Sequence, residues 1–306
     1  MRKLKCMLLA LSVLVLAIIA GIWCYNRYVK TDEPTTDFVE IERDEIELKS
    51  TLNESLDGAK GHVILYVEDE LPLLMSDIET CLGSDALESI VIDGSGTGSI
   101  VVTGDVRSSI RLTNAGATLT FKNLTFSDEY TGAISYITDY THFAGSMYFD
   151  DCTFTHGIRI RENANMTFKG CTFVSPQADR YGAWVEDGKA TFEDCTFKGF
   201  RGLKVHEDPK TPTDDITTVT VDGCTFDNLS VKCGIAIGTV NANTTLKVVN
   251  SLFDNCQAWD TVGSLDGVNG IYETDTPTAD YTLILENNEV KGDYPEDDNE
   301  NWTQNY

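Results

Sequence analysis

The chain is 306 residues long, with 23 Lys and Arg against 49 Asp and Glu and a net charge of −26. Beyond residue 30, 18 basic residues face 49 acidic ones, a net of −31. That balance excludes nucleic acid as a partner, because phosphate binding needs a basic surface.

Arg2, Lys3 and Lys5 precede an apolar run from Met7 to about Tyr25. Its length is close to the roughly 20 residues a helix needs to cross a bilayer. The run has no polar face, which argues against a buried core helix. It is longer than most secretory h-regions, and Ala17 and Ala20 are not in A-x-A spacing. Residues 1–30 are therefore predicted as a cytoplasmic stub and a transmembrane anchor. Positive charge before the run puts the N-terminus in the cytoplasm. The expected location is the plasma membrane, single-pass, with the C-terminal domain extracytoplasmic; the alternative is secretion after signal cleavage. Residues 31–47 are predicted as an acidic linker. From Leu48, LKSTLNESLDGAKGHVILYV predicts a short amphipathic helix, suited to capping an open sheet end, and then a strand.

Residues 48–290 are organised by an octet. MTFKGCTF (Met166–Phe173) recurs as LTFKNLTF (Leu119–Phe126), MYFDDCTF (Met147–Phe154), ATFEDCTF (Ala190–Phe197), VTVDGCTF (Val219–Phe226), LKVVNSLF (Leu246–Phe253) and LILENNEV (Leu283–Val290). Its first and third positions are apolar, the alternation of a strand with one buried face. The fifth is always Asn, Asp or Gly (Asn123, Asp151, Gly170, Asp194, Gly223, Asn250, Asn287), which tolerate a left-handed backbone and predict a tight turn. The eighth is Phe in six of the seven octets. Each octet thus reads as strand, bend, strand.

Octet starts are separated by 19 to 37 residues, a fixed core with elastic loops. A Gly-led strand follows most octets: TGAIS at Thr131, HGIRI at His156, YGAWV at Tyr181, RGLKV at Arg201, CGIAI at Cys233 and NGIYE at Asn269. Three strands per turn predict an all-β fold, a parallel β-helix (solenoid) with coils roughly 4.8 Å apart. IVIDGSGT, from Ile90, is predicted as its first coil. Residues 291–306 are predicted as a loose acidic tail.

Nine cysteines on an exported chain invite a disulfide reading. The octet cysteines Cys152, Cys171, Cys195 and Cys224 share one register, with Leu124 and Ser251 in their place elsewhere. They are expected to stack as small interior fillers. Cys233 and Cys256 are the one pair near the same corner of adjacent coils. No C-x-x-C metal pattern exists. Acidic ligands spaced as in an EF-hand are also missing, so calcium is the only ion the acidity suggests and no metal site is assigned. The Asp-Asp pairs at 150–151, 214–215 and 297–298 read as solvated turns.

In the Gly strands, the first and third residues after Gly should point inward and the second and fourth outward. That places Arg159, Trp184, Lys204, Ala236 and Tyr272 in one outer column, with Arg161, Glu186 and His206 beside it. Cations can pair with an anionic glycan and Trp can stack on a sugar ring. The plain alternative is a solvated sheet face with cross-strand pairs such as Arg161 with Glu186.

The Φ-x-Φ-x-[NDG]-C-x-F octet and the G-[AIL]-x-[IV] strand resemble the pectin-lyase-like right-handed parallel β-helix superfamily. IVIDGSGTGSIVV, ATLTFKNLTF and CTFDNLSVKCGIAI resemble its surface-protein branch of adhesin-like and polymorphic outer-membrane-protein-like repeats. The resemblance implies the fold over about residues 48–290 and a ligand lying on the outer face of the Gly strands, against Arg159, Trp184, Lys204, His206 and Tyr272. A membrane-tethered module without catalysis, holding a cell-surface or environmental glycan or a surface protein, is the first expectation. A polysaccharide lyase or glycoside hydrolase acting on acidic polysaccharide is the second. As a lyase it would use Lys204 or His206 as base and Arg159 or Arg161 to neutralise a carboxylate. As a hydrolase it would need two carboxylates, for which Glu186 with Glu207 or Asp208 is the only cluster. THGIRIRE (Thr155–Glu162) only touches the motifs of the superfamily's hydrolases.

Overall fold

The computed structural model describes residues 42–49, 52–73, 87–95, 97–102, 118–128, 146–155, 157–160, 164–175, 181–186, 188–206, 216–227, 229, 234–240, 242–256, 270–273 and 281–291. The chain divides into Met1–Glu42 and Arg43–Tyr306, and every described strand belongs to the second unit. The anchor expected over residues 7–25, the tail from 292 and Cys233 lie outside the described residues. Among the described residues no helix is long and apolar enough to cross a membrane.

One coil shows why the sequence folds this way. Asn165–Lys169 is a strand, the chain turns at Gly170 and Cys171, and Thr172–Ser175 is the next strand. Met166, Phe168, Cys171 and Phe173 all face the interior. The turn residue is left-handed in all seven octets, with φ from 52° to 54° at Asn123, Asp151, Asp194, Asn250 and Asn287, 61° at Gly170 and 64° at Gly223. Glycine at two of these turns answers a second demand. A Cβ on Gly170 would strike the Asp151 carboxylate, and one on Gly223 the Asp194 carboxylate. Asp on one coil therefore leans over Gly on the next.

Coils stack in parallel and in register, giving sheets of ten, nine and five strands among the described residues. Phe149, Phe168 and Phe192 are direct partners in the ten-stranded sheet. Phe154, Phe173, Phe197, Phe226 and Phe253 are partners in the nine-stranded one. Both files of rings stack nearly parallel, with centroids 4.8 and 5.0 Å apart around Phe168 and 4.9 and 4.7 Å around Phe197. The files meet edge to face, as between Phe168 and Phe173 at 5.3 Å and 74°. Such pairs add about 0.5–1.5 kcal/mol beyond buried area.

The octet cysteines form a third file of free, buried thiols between Leu124 and Ser251. Each Sγ points at a main-chain carbonyl of the preceding coil, for example Cys171 at Phe149 O, 3.4 Å. Burial pushes the Cys152 and Cys195 thiols well above their ordinary range. Cys256 is also a free buried thiol, donating to Phe226 O. The filler reading of the octet cysteines therefore holds.

Two boundaries differ from the sequence reading. The solenoid reaches into the acidic linker: Asp44–Ile46 is a strand pairing with Gly61–Tyr66. IVIDGSGT is not the first coil, because Gly61–Tyr66 and Glu70–Leu73 form one before it. ELPL lacks the octet's turn and Phe, so nothing local marked it. The predicted short helix is present as Leu52–Leu56, its Ser55 and Leu56 buried against the core.

Candidate functional site

Five Gly strands, Ile158–Ile160, Ala183–Val185, Leu203–Val205, Ile235–Ile237 and Ile271–Glu273, build the five-stranded sheet. Their first residues, Ile158, Ala183, Leu203, Ile235 and Ile271, are all buried. The second residues fall in one register, Arg159 on Trp184 on Lys204 on Ala236 on Tyr272. The column is thus built by strand alternation alone.

The side chains arrange themselves more closely than a bare column. The Arg159 guanidinium lies 4.3 Å from the Trp184 ring centroid, and the Lys204 ammonium lies 4.3 Å from it as well. One cation comes from the coil before and the other from the coil after, so both faces of the indole are engaged. The indole N–H donates to the His206 carbonyl at 3.2 Å. Cation–π contacts of this kind contribute about 0.5–2 kcal/mol each.

Glu186 faces the same sheet but is not solvated: its side chain is 0% exposed and ion-paired with Arg159. The sequence offered Arg161 as its partner; the pair the structure contains is diagonal, from Arg159. Arg161, Glu207, Asp208 and the Tyr272 side chain lie outside the described residues. Ala236 is fully buried, so the outer column is covered at that coil. His206 lies beside Trp184, ring centroids 5.9 Å apart. Its Nδ1 accepts the Thr239 backbone N–H at 2.9 Å. Gly238 packs against that imidazole, and any Cβ there would strike it.

Two participants were missed, Tyr181 and Arg201. Arg201 lies 5.1 Å and Lys204 5.7 Å from the Tyr181 ring centroid. Each residue precedes a strand glycine, in YGAWV and RGLKV, and that shared position was the available signal. The result is a file of cations and aromatics (Arg159, Trp184, Lys204, Tyr181, Arg201) with one buried carboxylate. It can attract an anionic group through Lys204 and Arg201 while Glu186 offsets Arg159.

Among the described residues no group of three or more His, Cys, Asp or Glu side chains is arranged to hold a metal ion. Asp151 of the first Asp-Asp pair is a turn residue, and Asp150 pairs with Lys122 at 3.3 Å.

Comparison with curated proteins and with solved structures gives no match. The family described as right handed beta helix region matches residues 108–292, more than half of the chain, and the chain belongs to that family.

Proposed function

We propose that the protein is a membrane-tethered, extracytoplasmic β-helix module that holds an anionic glycan on the outer face of its five-stranded sheet without cleaving the glycan backbone. At family level a β-helix domain fits a carbohydrate-related or surface module. The observation that carries the finer reading is the cation–aromatic file in a chain of net charge −26. In a chain this acidic such a cluster is uneven, and its charged donors and ring edges are the groups an anionic glycan pairs with. Two-carboxylate hydrolysis at this face is disfavoured by Glu186. A fully buried carboxylate committed to Arg159 cannot flank a scissile bond with a second acid.

The experiment is a glycan array probed with residues 43–306. Binding should favour carboxylated or sulfated glycans, weaken with salt, and fall about tenfold or more in Lys204→Ala and Arg201→Ala. No binding to any glycan sinks the proposal. An unsaturated sugar product appearing from an acidic polysaccharide replaces it with the lyase.

A further inference from the structure

The solenoid carries one irregularity in its strand register among the described residues, and three chemically active side chains meet there. Gly61 pairs with Leu87, and His62 pairs with Ser89, so Glu88 is an extra residue in its strand. The other strand pairings described run one to one, as in the next coil, where Ser89 meets Thr118. Strand alternation would turn Glu88 and Ser89 to opposite faces. The bulge undoes this and brings both to His62. His62 Nδ1 lies 2.9 Å from Ser89 Oγ. His62 Nε2 lies 3.4 Å from a Glu88 carboxylate oxygen.

Hydrogen-bonding roles follow from the chemistry. An ionised carboxylate only accepts, so Glu88 beside Nε2 favours the tautomer with the ring proton there. Nδ1 is then the bare nitrogen, and the Ser89 hydroxyl donates to it. A hydroxyl on one ring nitrogen with a carboxylate on the other is the arrangement that activates a serine. Sequence spacing does not reveal it, because His62 lies a full coil before Ser89.

We propose that Ser89, His62 and Glu88 form a serine-nucleophile centre that cleaves short acyl esters. The site lies on the ten-stranded sheet and is independent of the glycan face. Ser89 Oγ attacks the ester carbonyl carbon, and its proton passes to His62 Nδ1. The C–O bond to the alcohol breaks, and the alcohol leaves with that proton. Water, deprotonated by His62, then attacks the acyl-serine. The carboxylic acid departs, and Ser89 Oγ recovers its proton. Ser89 and His62 are the catalytic residues; Glu88 is a positioning residue. The acyl group is short because Ser89 is nearly buried and its column neighbour Thr118 is half-buried. Ser89 itself is only 5% exposed, so access is from above His62, which is 31% exposed in its side chain.

The test treats folded protein with a fluorophosphonate probe and locates the adduct by mass spectrometry, alongside hydrolysis of p-nitrophenyl acetate. The expected result is an adduct on Ser89 and a loss in kcat/KM of about 100-fold in Ser89→Ala and His62→Ala. Circular dichroism establishes that these variants fold, and probe labelling of the wild type needs no variant. Glu88→Gln should lower kcat with KM unchanged, and Glu88→Asp should restore it, as a carboxylate that orients the imidazole requires. An unlabelled Ser89, or hydrolysis undiminished in Ser89→Ala, overturns the proposal. A kcat unmoved by Glu88→Gln removes Glu88 from it.

Discussion

Phe197 tests whether the ring files hold the rod together. Its side chain is fully buried, stacked between Phe173 at 4.9 Å and Phe226 at 4.7 Å, and edge-on to Phe192 at 5.6 Å. Replacing it by Ala removes the transfer energy of a buried ring and leaves a cavity walled by three other rings. Those rings sit on hydrogen-bonded strands and cannot collapse into it. The cost should be at the upper end of the about 3–5 kcal/mol range for Phe→Ala. Against a typical total of about 5–15 kcal/mol, that is a large fraction. Urea unfolding followed by circular dichroism measures it, with an unchanged m-value as the check that the exposed surface is the same. A double-mutant cycle with Phe226→Ala should return a coupling of about 0.5–1.5 kcal/mol. A cost for Phe197→Ala below about 1 kcal/mol, or a coupling of zero, would refute the reasoning that these files are structural.

Burial pushes the Cys256 thiol up to about 12 from the ordinary 9.0. The unfolded chain loses this proton above pH 9 while the folded chain keeps it to about 12. Its contribution is thus whole below pH 9 and is lost as pH rises, at up to about 1.4 kcal/mol per unit. In urea titrations from pH 8 to pH 11, the stability gap between wild type and Cys256→Ala should narrow; a constant gap would count against it. Glu186→Gln removes the buried carboxylate that is ion-paired with Arg159, 13% exposed, and should cost about 3 kcal/mol. The double variant Arg159→Met with Glu186→Leu should recover most of that in thermal melts, and no recovery would mean that the charges themselves are not the cause.

The fold was legible because each octet position carries one physical demand. Asn, Asp or Gly at the fifth position answers a left-handed turn, as φ of 52° at Asp194 and 64° at Gly223 shows. Phe at the eighth answers a stacking column. The outer file was legible as a column because alternation has period two, and register then put Arg159, Trp184 and Lys204 side by side. What those side chains do to one another was not. Long side chains lean across coils, so Arg159 finds Glu186 diagonally and Lys204 finds Trp184. Chain spacing encodes where a Cα lies, not which of several neighbours a flexible cation chooses.

The same limit explains why His62, Glu88 and Ser89 escaped the sequence reading. A bulge adds one residue to one strand, and LESIVID carries no glycine that marks one. Only pairing with the previous coil shows that Glu88 is extra. A solenoid gains stability by repeating, since every coil reuses the same inward positions and each neighbour supplies the missing face. Repetition also denies it unique local geometry, because one coil's outer face is set like the next. Departures from register are therefore where a solenoid can place chemistry that no other coil has. Two adjacent residues on one face of one strand, with an imidazole between them, is such a departure. The five-stranded face follows the other route: it keeps the register and varies only the side chains. That suits an extended anionic ligand lying along the axis better than a reaction at one bond.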